Sequence, residues 1–282
     1  MKKLFVFVIC WFILDKKKRD SFRKRNLSSL KIEAVKNNIQ NIDNLNKIKA
    51  LQKNNFIDVS PEDLSKIDLN IEGKNNKVII GKLSNGCPGK LYIKIGGDNN
   101  SIVIDKRMWI TAQLHIEAGR NHSLYGLAHD ISISIGENTS FGHCYIQTVN
   151  SNCSIKIGKN CMIARDVCIL NTDFHPIYDL TTKKIINKVK SLIIGDHCWI
   201  GQSATILKNT IIPNDCIVGA GSVVSSRIES ISSGVHDSKS EYSRWGGVEP
   251  HSIIAGNPAK VVRKNCTWSS DGSHGYVQNE RE

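Results

Sequence analysis

The chain has 282 residues, of which 40% are hydrophobic but only 6% aromatic. It can bury a core, built from Ile, Val, Leu and Cys more than from rings, a composition that suits a β-solenoid. The net charge of +12 is uneven: residues 1–70 hold 15 Lys or Arg against 8 Asp or Glu, a surplus of +7, which leaves +5 for the other 212. The basic surplus is mainly an N-terminal property, and no nucleic-acid partner is expected.

The chain opens with an 11-residue apolar run, LFVFVICWFIL from Leu4 to Leu14. A membrane-spanning helix needs about 20 such residues, so this run does not span a bilayer. Lys16, Lys17, Lys18, Arg19, Arg23, Lys24 and Arg25 follow it. Three readings stay open: a cleaved signal, for which no small-residue cleavage site follows; a surface anchor; or a packed terminus. As an anchor, residues 4–25 make peripheral contact with the inner membrane, with the positive charge facing the cytoplasmic leaflet, and the expected address is cytoplasmic.

From Leu27 to Leu51, apolar residues recur at Ile32, Val35, Ile39, Ile42, Leu45, Ile48 and Leu51. Spacings of three and four predict an amphipathic helix whose face packs on the main domain or on partner copies. The nine cysteines form no CxxC pair or regular framework, so neither a disulfide scaffold nor a zinc site is expected.

The decisive pattern is a period of six. Ile194, Ile200, Ile206, Ile212, Val218 and Val224 are all aliphatic, and Cys198, Ala204, Thr210, Cys216 and Ser222 follow the first five at a fixed offset. Six is neither a helical nor a simple strand period; each hexapeptide makes one short strand and a turn, and three sides complete a coil. Residues six apart are then expected to stack on successive coils, with aliphatics along the axis and small residues in the corners. Cys161, Cys198 and Cys216 are expected to act as small buried hydrophobes.

The period recurs upstream at Ile104, Ile110 and Ile116, at Ile135 and Phe141, and at Ile157, Ile163 and Ile169. Glycine follows the aliphatic at Gly96, Gly136, Gly142, Gly158, Gly195, Gly201 and Gly219, where a sharp turn is expected. This gives an N-terminal segment over 1–70, an all-β solenoid domain over 75–264 with loops at 170–193 and 225–249, and a polar tail over 265–282. The second loop is rich in Ser, Gly and charge and carries His236 and Trp245.

The segments NTDFHPIYD, IGDHCWIGQSATILKN, CIVGAGSVV and PHSIIAGNPAKVVRK, in that order, resemble the hexapeptide-repeat acyltransferases. Within that family the match is to O-acetyltransferases that modify galactosides and bacterial capsule or lipopolysaccharide sugars. The resemblance implies a left-handed parallel β-helix, acetyl-CoA as acyl donor and a homotrimer with its sites between adjacent subunits. It also implies a sugar or polysaccharide acceptor. His175 falls at the catalytic histidine of TDFHP, as the base that an alcohol nucleophile requires at neutral pH. Asp173 is the residue to orient His175 or bind the acceptor, the alternative being a turn-forming aspartate.

Trp199 matches the tryptophan beside the acetyl group and acceptor, offering an N–H donor and an apolar wall. Ala220, Gly221 and Ser225 match the cofactor groove, and Lys260 and Arg263 lie where phosphates would bind. Ser226 departs from the lysine common in relatives, and His143 is the one candidate for an upstream asparagine that has no clear counterpart here.

Two other readings use the same residues: a small-molecule acetyltransferase acting on serine or a free sugar, and a non-catalytic solenoid scaffold. A β-helical carbonic anhydrase would need three zinc-binding histidines. His175 has no histidine partner at a ligand-like spacing, and no metal is expected.

Overall fold

The computed structural model describes residue 25 and residues 43–119, 127–226 and 248–270. The chain divides into two units, Met1–Ala50 and Leu51–Glu282. In the first, residues 43–50 are helical; the rest of the helix expected from Leu27, and the apolar run Leu4–Leu14, lie outside the described residues. Among the described residues no helix is long and apolar enough to cross a membrane.

The second unit is a parallel β-helix with three sides. Side I stacks Phe56–Val59, Lys77–Ile80, Ser101–Ile104, Ser132–Ile135, Ser154–Ile157, Ser191–Ile194 and Ile211–Ile212. Side II stacks Trp109–Ile110, Ser140–Phe141, Met162–Ile163, Trp199–Ile200, Ile217–Val218 and Ile253–Gly256, and closes with the antiparallel strand Ala259–Arg263. Side III stacks Ile67–Glu72, Lys90–Asp98, Gln113–Gly119, Cys144–Thr148, Val167–Leu170, Thr205–Leu207 and Val223–Val224.

The chain visits the sides in the order I, II, III, which corrects one expectation. Residues six apart do not stack; they occupy consecutive sides. Ile194, Ile200 and Ile206 lie on I, II and III, and each pairs with the residue eighteen further on, Ile212, Val218 and Val224. The inward aliphatics so aligned are at most 1% exposed. Cys198, Ala204, Thr210, Cys216 and Ser222 are likewise at most 1% exposed, as the small-corner reading required.

The corner glycines have a different cause from the one expected. Gly136, Gly142, Gly158, Gly195, Gly201 and Gly219 are not in the left-handed region. A Cβ on Gly201 would meet the backbone N of Ala220 at 2.6 Å and the carbonyl O of Val218 at 2.7 Å, so it is the next coil's backbone that excludes a side chain. The left-handed corner residues are instead mostly Asn and Asp, among them Asn138, Asn160 and Asp215 with φ of 58°, 57° and 59°, because their short polar side chains tolerate that conformation.

The coil also begins before residue 75. The strands Phe56–Val59 and Ile67–Glu72 already lie on sides I and III, and the 3-10 turn Pro61–Lys66 stands where a side II strand would run. Buried Asp63 accepts the Leu83 N–H at 2.9 Å and ties that turn to the next coil. At the far end the expected tail starts late: Trp268 is 8% exposed and stacks on His197 with ring centroids 4.6 Å apart. Residues 271–282 and most of the 225–249 excursion, with His236 and Trp245, lie outside the described residues.

Two outcomes follow from this packing. Gly201→Ala should destabilise the fold by about 1–3 kcal/mol through overpacking against rigid backbone, read as a lower denaturation midpoint. Burial pushes the Cys216 thiol up to about 12, so it stays protonated at pH 8. Iodoacetamide followed by mass spectrometry should leave Cys216 unmodified in the native protein and alkylate it after unfolding.

Candidate active site

The one long departure from the coil between Asn150 and Ser222 is residues 171–190, which join Leu170 on side III to Ser191 on side I. Both ends are stapled. Asn171, fully buried, donates through Nδ2 to the carbonyls of Ser154 and Lys190, each at 3.1 Å, and its Oδ1 accepts the Asn209 N–H at 3.1 Å. Asn209 answers by accepting the Lys190 N–H at 2.7 Å and donating to the Lys188 carbonyl at 3.0 Å. Backbone leaving the ladder is thus repaired by side-chain amides.

Within the loop, residues 177–186 double back, with Tyr178 and Ile185 bridged. Asp179 holds the turn by accepting the N–H groups of Thr181 and Thr182 at 3.0 and 2.6 Å. The Thr182 backbone bond holds its carboxyl below the usual value. Phe174 takes φ of 63°, with its N–H given to the Thr172 hydroxyl at 2.9 Å. The result presents His175 on an exposed stretch lining a cleft of about 680 Å³. Asp173, Phe174, Pro176, Tyr178 and Asn187 line it from the loop, and Val149, Asn150 and Ser151 from the preceding coil.

Asn187 fixes this stretch. Its Nδ2 donates to Asp173 Oδ2 at 2.8 Å and to the His175 carbonyl at 2.9 Å, while its Oδ1 accepts the Ile177 N–H at 2.7 Å. Lys208 Nζ donates to the same Asp173 oxygen and to the Asn187 carbonyl, the latter at 3.1 Å. Asp173 therefore sits beside His175 with its carboxylate engaged by Asn187 and Lys208. Sequence reasoning passed over Asn187, and it quoted Lys208 and Asn209 within ATILKN without assigning them a role.

The remaining predicted residues divide between two places. Trp199 is 37% exposed on side II, which is the side opposite the III/I corner that carries His175. Its ring lies 6.1 Å from that of Trp268. Ala220 and Gly221 form the II/III corner, where Gly221 has φ of 67°. Lys260 and Arg263 lie on the closing strand of side II, opposite Ala255 and Ile253. The Gly256 N–H to Ser222 Oγ bond of 3.1 Å ties that hairpin to the Ala220–Gly221 corner.

Ser225 follows Val223–Val224 on side III and so belongs to the III/I corner with His175. One chain thus gathers Trp199, Ala220, Gly221, Lys260 and Arg263 on one flank and His175, Asp173 and Ser225 on the other. Among the described residues no group of three or more His, Cys, Asp or Glu side chains is placed to hold a metal ion.

Comparison with known proteins agrees with this architecture. Residues 191–226 match the model of the bacterial transferase hexapeptide, six repeats. The chain is 36% identical over 160 residues to the polysialic acid O-acetyltransferase of Neisseria meningitidis, covering 55% of this chain and 66% of that one. It is 30% identical over 137 residues to the polysialic acid O-acetyltransferase of Escherichia coli O1:K1, covering 49% of this chain and 38% of that one. The solved structure of the polysialic acid O-acetyltransferase OatWY superposes with a TM-score of 0.54 at 30% identity, covering 78% of this chain and 90% of that one. The chain belongs to the hexapeptide-repeat acyltransferase family. It spans 38% and 66% of the lengths of the two curated relatives just described.

Asn187→Ala would leave three hydrogen bonds of the loop unmade. Trypsin should then cut at Lys183, Lys184 or Lys188 several-fold faster, with little change in the global melting temperature. Equal cleavage rates would remove Asn187 as the tether.

Proposed function

We propose that this chain is an acetyl-CoA-dependent O-acetyltransferase acting on a hydroxyl of a cell-surface polysaccharide or its sugar precursor, with His175 as general base. The observation that carries the reading is the stapled 171–190 loop, which holds His175 at the mouth of a roughly 680 Å³ cleft on the rim of a rigid coil. Family membership supports acyl transfer and a left-handed coil. The sugar acceptor follows from the relatives' substrates and from a cleft that mixes apolar walls with Asp173, Asn150, Asn187 and Lys188.

In this reading His175 takes the proton of the acceptor hydroxyl as its oxygen attacks the thioester carbonyl carbon. The C–O bond forms, the tetrahedral oxyanion collapses with loss of the C–S bond, and the histidine returns its proton to the departing thiolate. The products are an acetyl ester and the free thiol of CoA. Asp173 acts as a positioning residue: Asn187 bonds both its carboxylate and the His175 carbonyl, so the charge on Asp173 fixes the backbone that carries the imidazole. Trp199 walls the acetyl group; Ala220, Gly221 and Ser225 line the pantetheine groove; Lys260 and Arg263 meet the phosphates.

The split between the two flanks favours a homotrimer in which His175, Asp173 and Ser225 of one subunit complete the side II groove of its neighbour. Peripheral membrane contact through residues 4–25, on the cytoplasmic side, would bring the enzyme to acceptors assembled there. A small-molecule acceptor such as serine or a free sugar uses the same chemistry, and acetyl transfer to free sugars set beside transfer to purified polysaccharide separates the two.

His175→Ala should lower kcat by about 10²- to 10⁴-fold in a thiol-release assay with acetyl-CoA, without loss of the folded oligomer. Full retained activity would remove His175 as the base, and no acetyl transfer by the wild type would leave the non-catalytic scaffold reading. The shared site has its own test. His175→Ala and Trp199→Ala chains, each poorly active alone, should recover activity when co-assembled, since about a quarter of the randomly formed interfaces then pair an intact His175 with an intact Trp199. Absence of complementation would refute a site divided between subunits.

A further inference from the structure

Outside the His175 cleft, the outer face of side III carries a second concavity of about 430 Å³, over the early coils. Two columns of side chains build it. Asp68, Tyr92, His115 and Tyr145 are neighbours in register along one, and Asn70, Lys94 and Glu117 along the other, continued in register by the buried Gln147. Such a run of rings is unusual in a chain that is only 6% aromatic. Tyr92 and His115 stack with centroids 4.6 Å apart and planes 7° from parallel, and Tyr145 lies 6.3 Å beyond at 44°.

The polar column is fixed in place. Glu117 Oε2 accepts the Tyr145 hydroxyl at 2.6 Å and the Gln147 amide, while its other oxygen lies 3.8 Å from Lys94 Nζ. His115 Nε2 is 3.2 Å from Gln113 Oε1. A row of ring faces flanked by carboxylate, amide and ammonium groups is the surface that sugars fit: their C–H faces lie on the rings and their hydroxyls find donors and acceptors at the edge.

Burial, with the nearby His143, holds His115 below the usual histidine value.

Position gives the cleft its use. Tyr145 lies in the strand Cys144–Thr148, and the residues that directly follow, Val149, Asn150 and Ser151, line the His175 cleft. Four residues of extended chain span roughly 13 Å, so one polymer chain reaches both. We infer that the Tyr92–His115–Tyr145 cleft is a subsite that binds a sugar unit of the acceptor polysaccharide and holds the chain for transfer at His175. This inference rests on the polysaccharide reading of the preceding subsection.

The test is calorimetric titration of the full-length protein with uncharged hexasaccharides, those of N-acetylglucosamine, maltose-type glucose and cellulose-type glucose, and with a sialic acid hexamer. At least one of these hexamers should bind wild type and His175→Ala equally, and at least about tenfold more weakly to Tyr92→Ala and His115→Ala. Tyr145→Phe, which keeps the ring and removes the hydroxyl that bonds Glu117, should have a smaller effect. Circular dichroism and sedimentation should show each variant folded and assembled as wild type.

The inference is overturned if no hexamer binds, or if Tyr92→Ala and His115→Ala leave binding unchanged. Loss of the oligomer in both variants would equally overturn it and make the face a contact between copies of this chain. Binding without acetyl transfer would sink the enzymatic reading and keep a saccharide site; transfer without this binding would do the reverse.

Discussion

Everything in the second unit depends on one spacing: successive coils must sit a strand's width apart, about 4.8 Å, with identical sides in register. That constraint selects residues in three ways at once. Inward positions stack aliphatic on aliphatic, as in the Ile157, Ile194 and Ile212 column. Corner interiors admit only small groups, hence Cys198, Ala204 and Ser222. Where the next coil's backbone passes under 3 Å from a would-be Cβ, as at Gly195 and Gly201, only glycine fits. The cysteines belong to this packing: burial of Cys216 makes it a poor nucleophile.

A coil closed this tightly fills its interior, so the His175 chemistry is mounted on what leaves it. The 171–190 loop shows how leaving is made affordable. Breaking the ladder between Leu170 and Ser191 would strand backbone groups beside the core, and Asn171 and Asn209 take up those groups at both ends. Asn187 and Lys208 then carry rigidity outward from the coil to Asp173 and the His175 backbone. The histidine is positioned by a chain of hydrogen bonds that begins on the solenoid.

The coil was legible from Ile104 onward because runs of hexapeptides recur there, shifted in phase only between runs, and each aliphatic meets another in the coil above. Over 56–98 the phase is lost: a 3-10 turn and irregular backbone replace side II, and no six-residue rule survives that substitution. The corner glycines were visible but their cause was not, because a clash with residues some eighteen positions away has no local signature. TDFHP singled out His175, and no sequence signal pointed to Asn187 or Lys208. Their contacts depend on the path of a non-repeating loop, which periodicity does not describe. Trp268 looked like part of a polar tail because its partner, His197, is 71 positions away in sequence.

The separation of Trp199 from His175 was latent in the same period. Within an unbroken run side is fixed by counting hexapeptides modulo three, and across the loop the register puts Ile163 and Ile200 on side II and Ile169 and Ile206 on side III. A loop emerging after Ile169 leaves from the III/I corner, and Trp199, one residue before Ile200, faces the opposite way. No rotamer or loop adjustment closes that distance, because the core of the coil lies between. In the proposed homotrimer the two flanks meet around a symmetry axis, one chain's corner against another's side. Side III is then the face with both edges in play: the Ala220–Gly221 corner borders it on one edge and His175 on the other. The rings of Tyr92, His115 and Tyr145 stand on that face, which is why they fit a surface that guides an acceptor chain better than ornaments of a structural sheet.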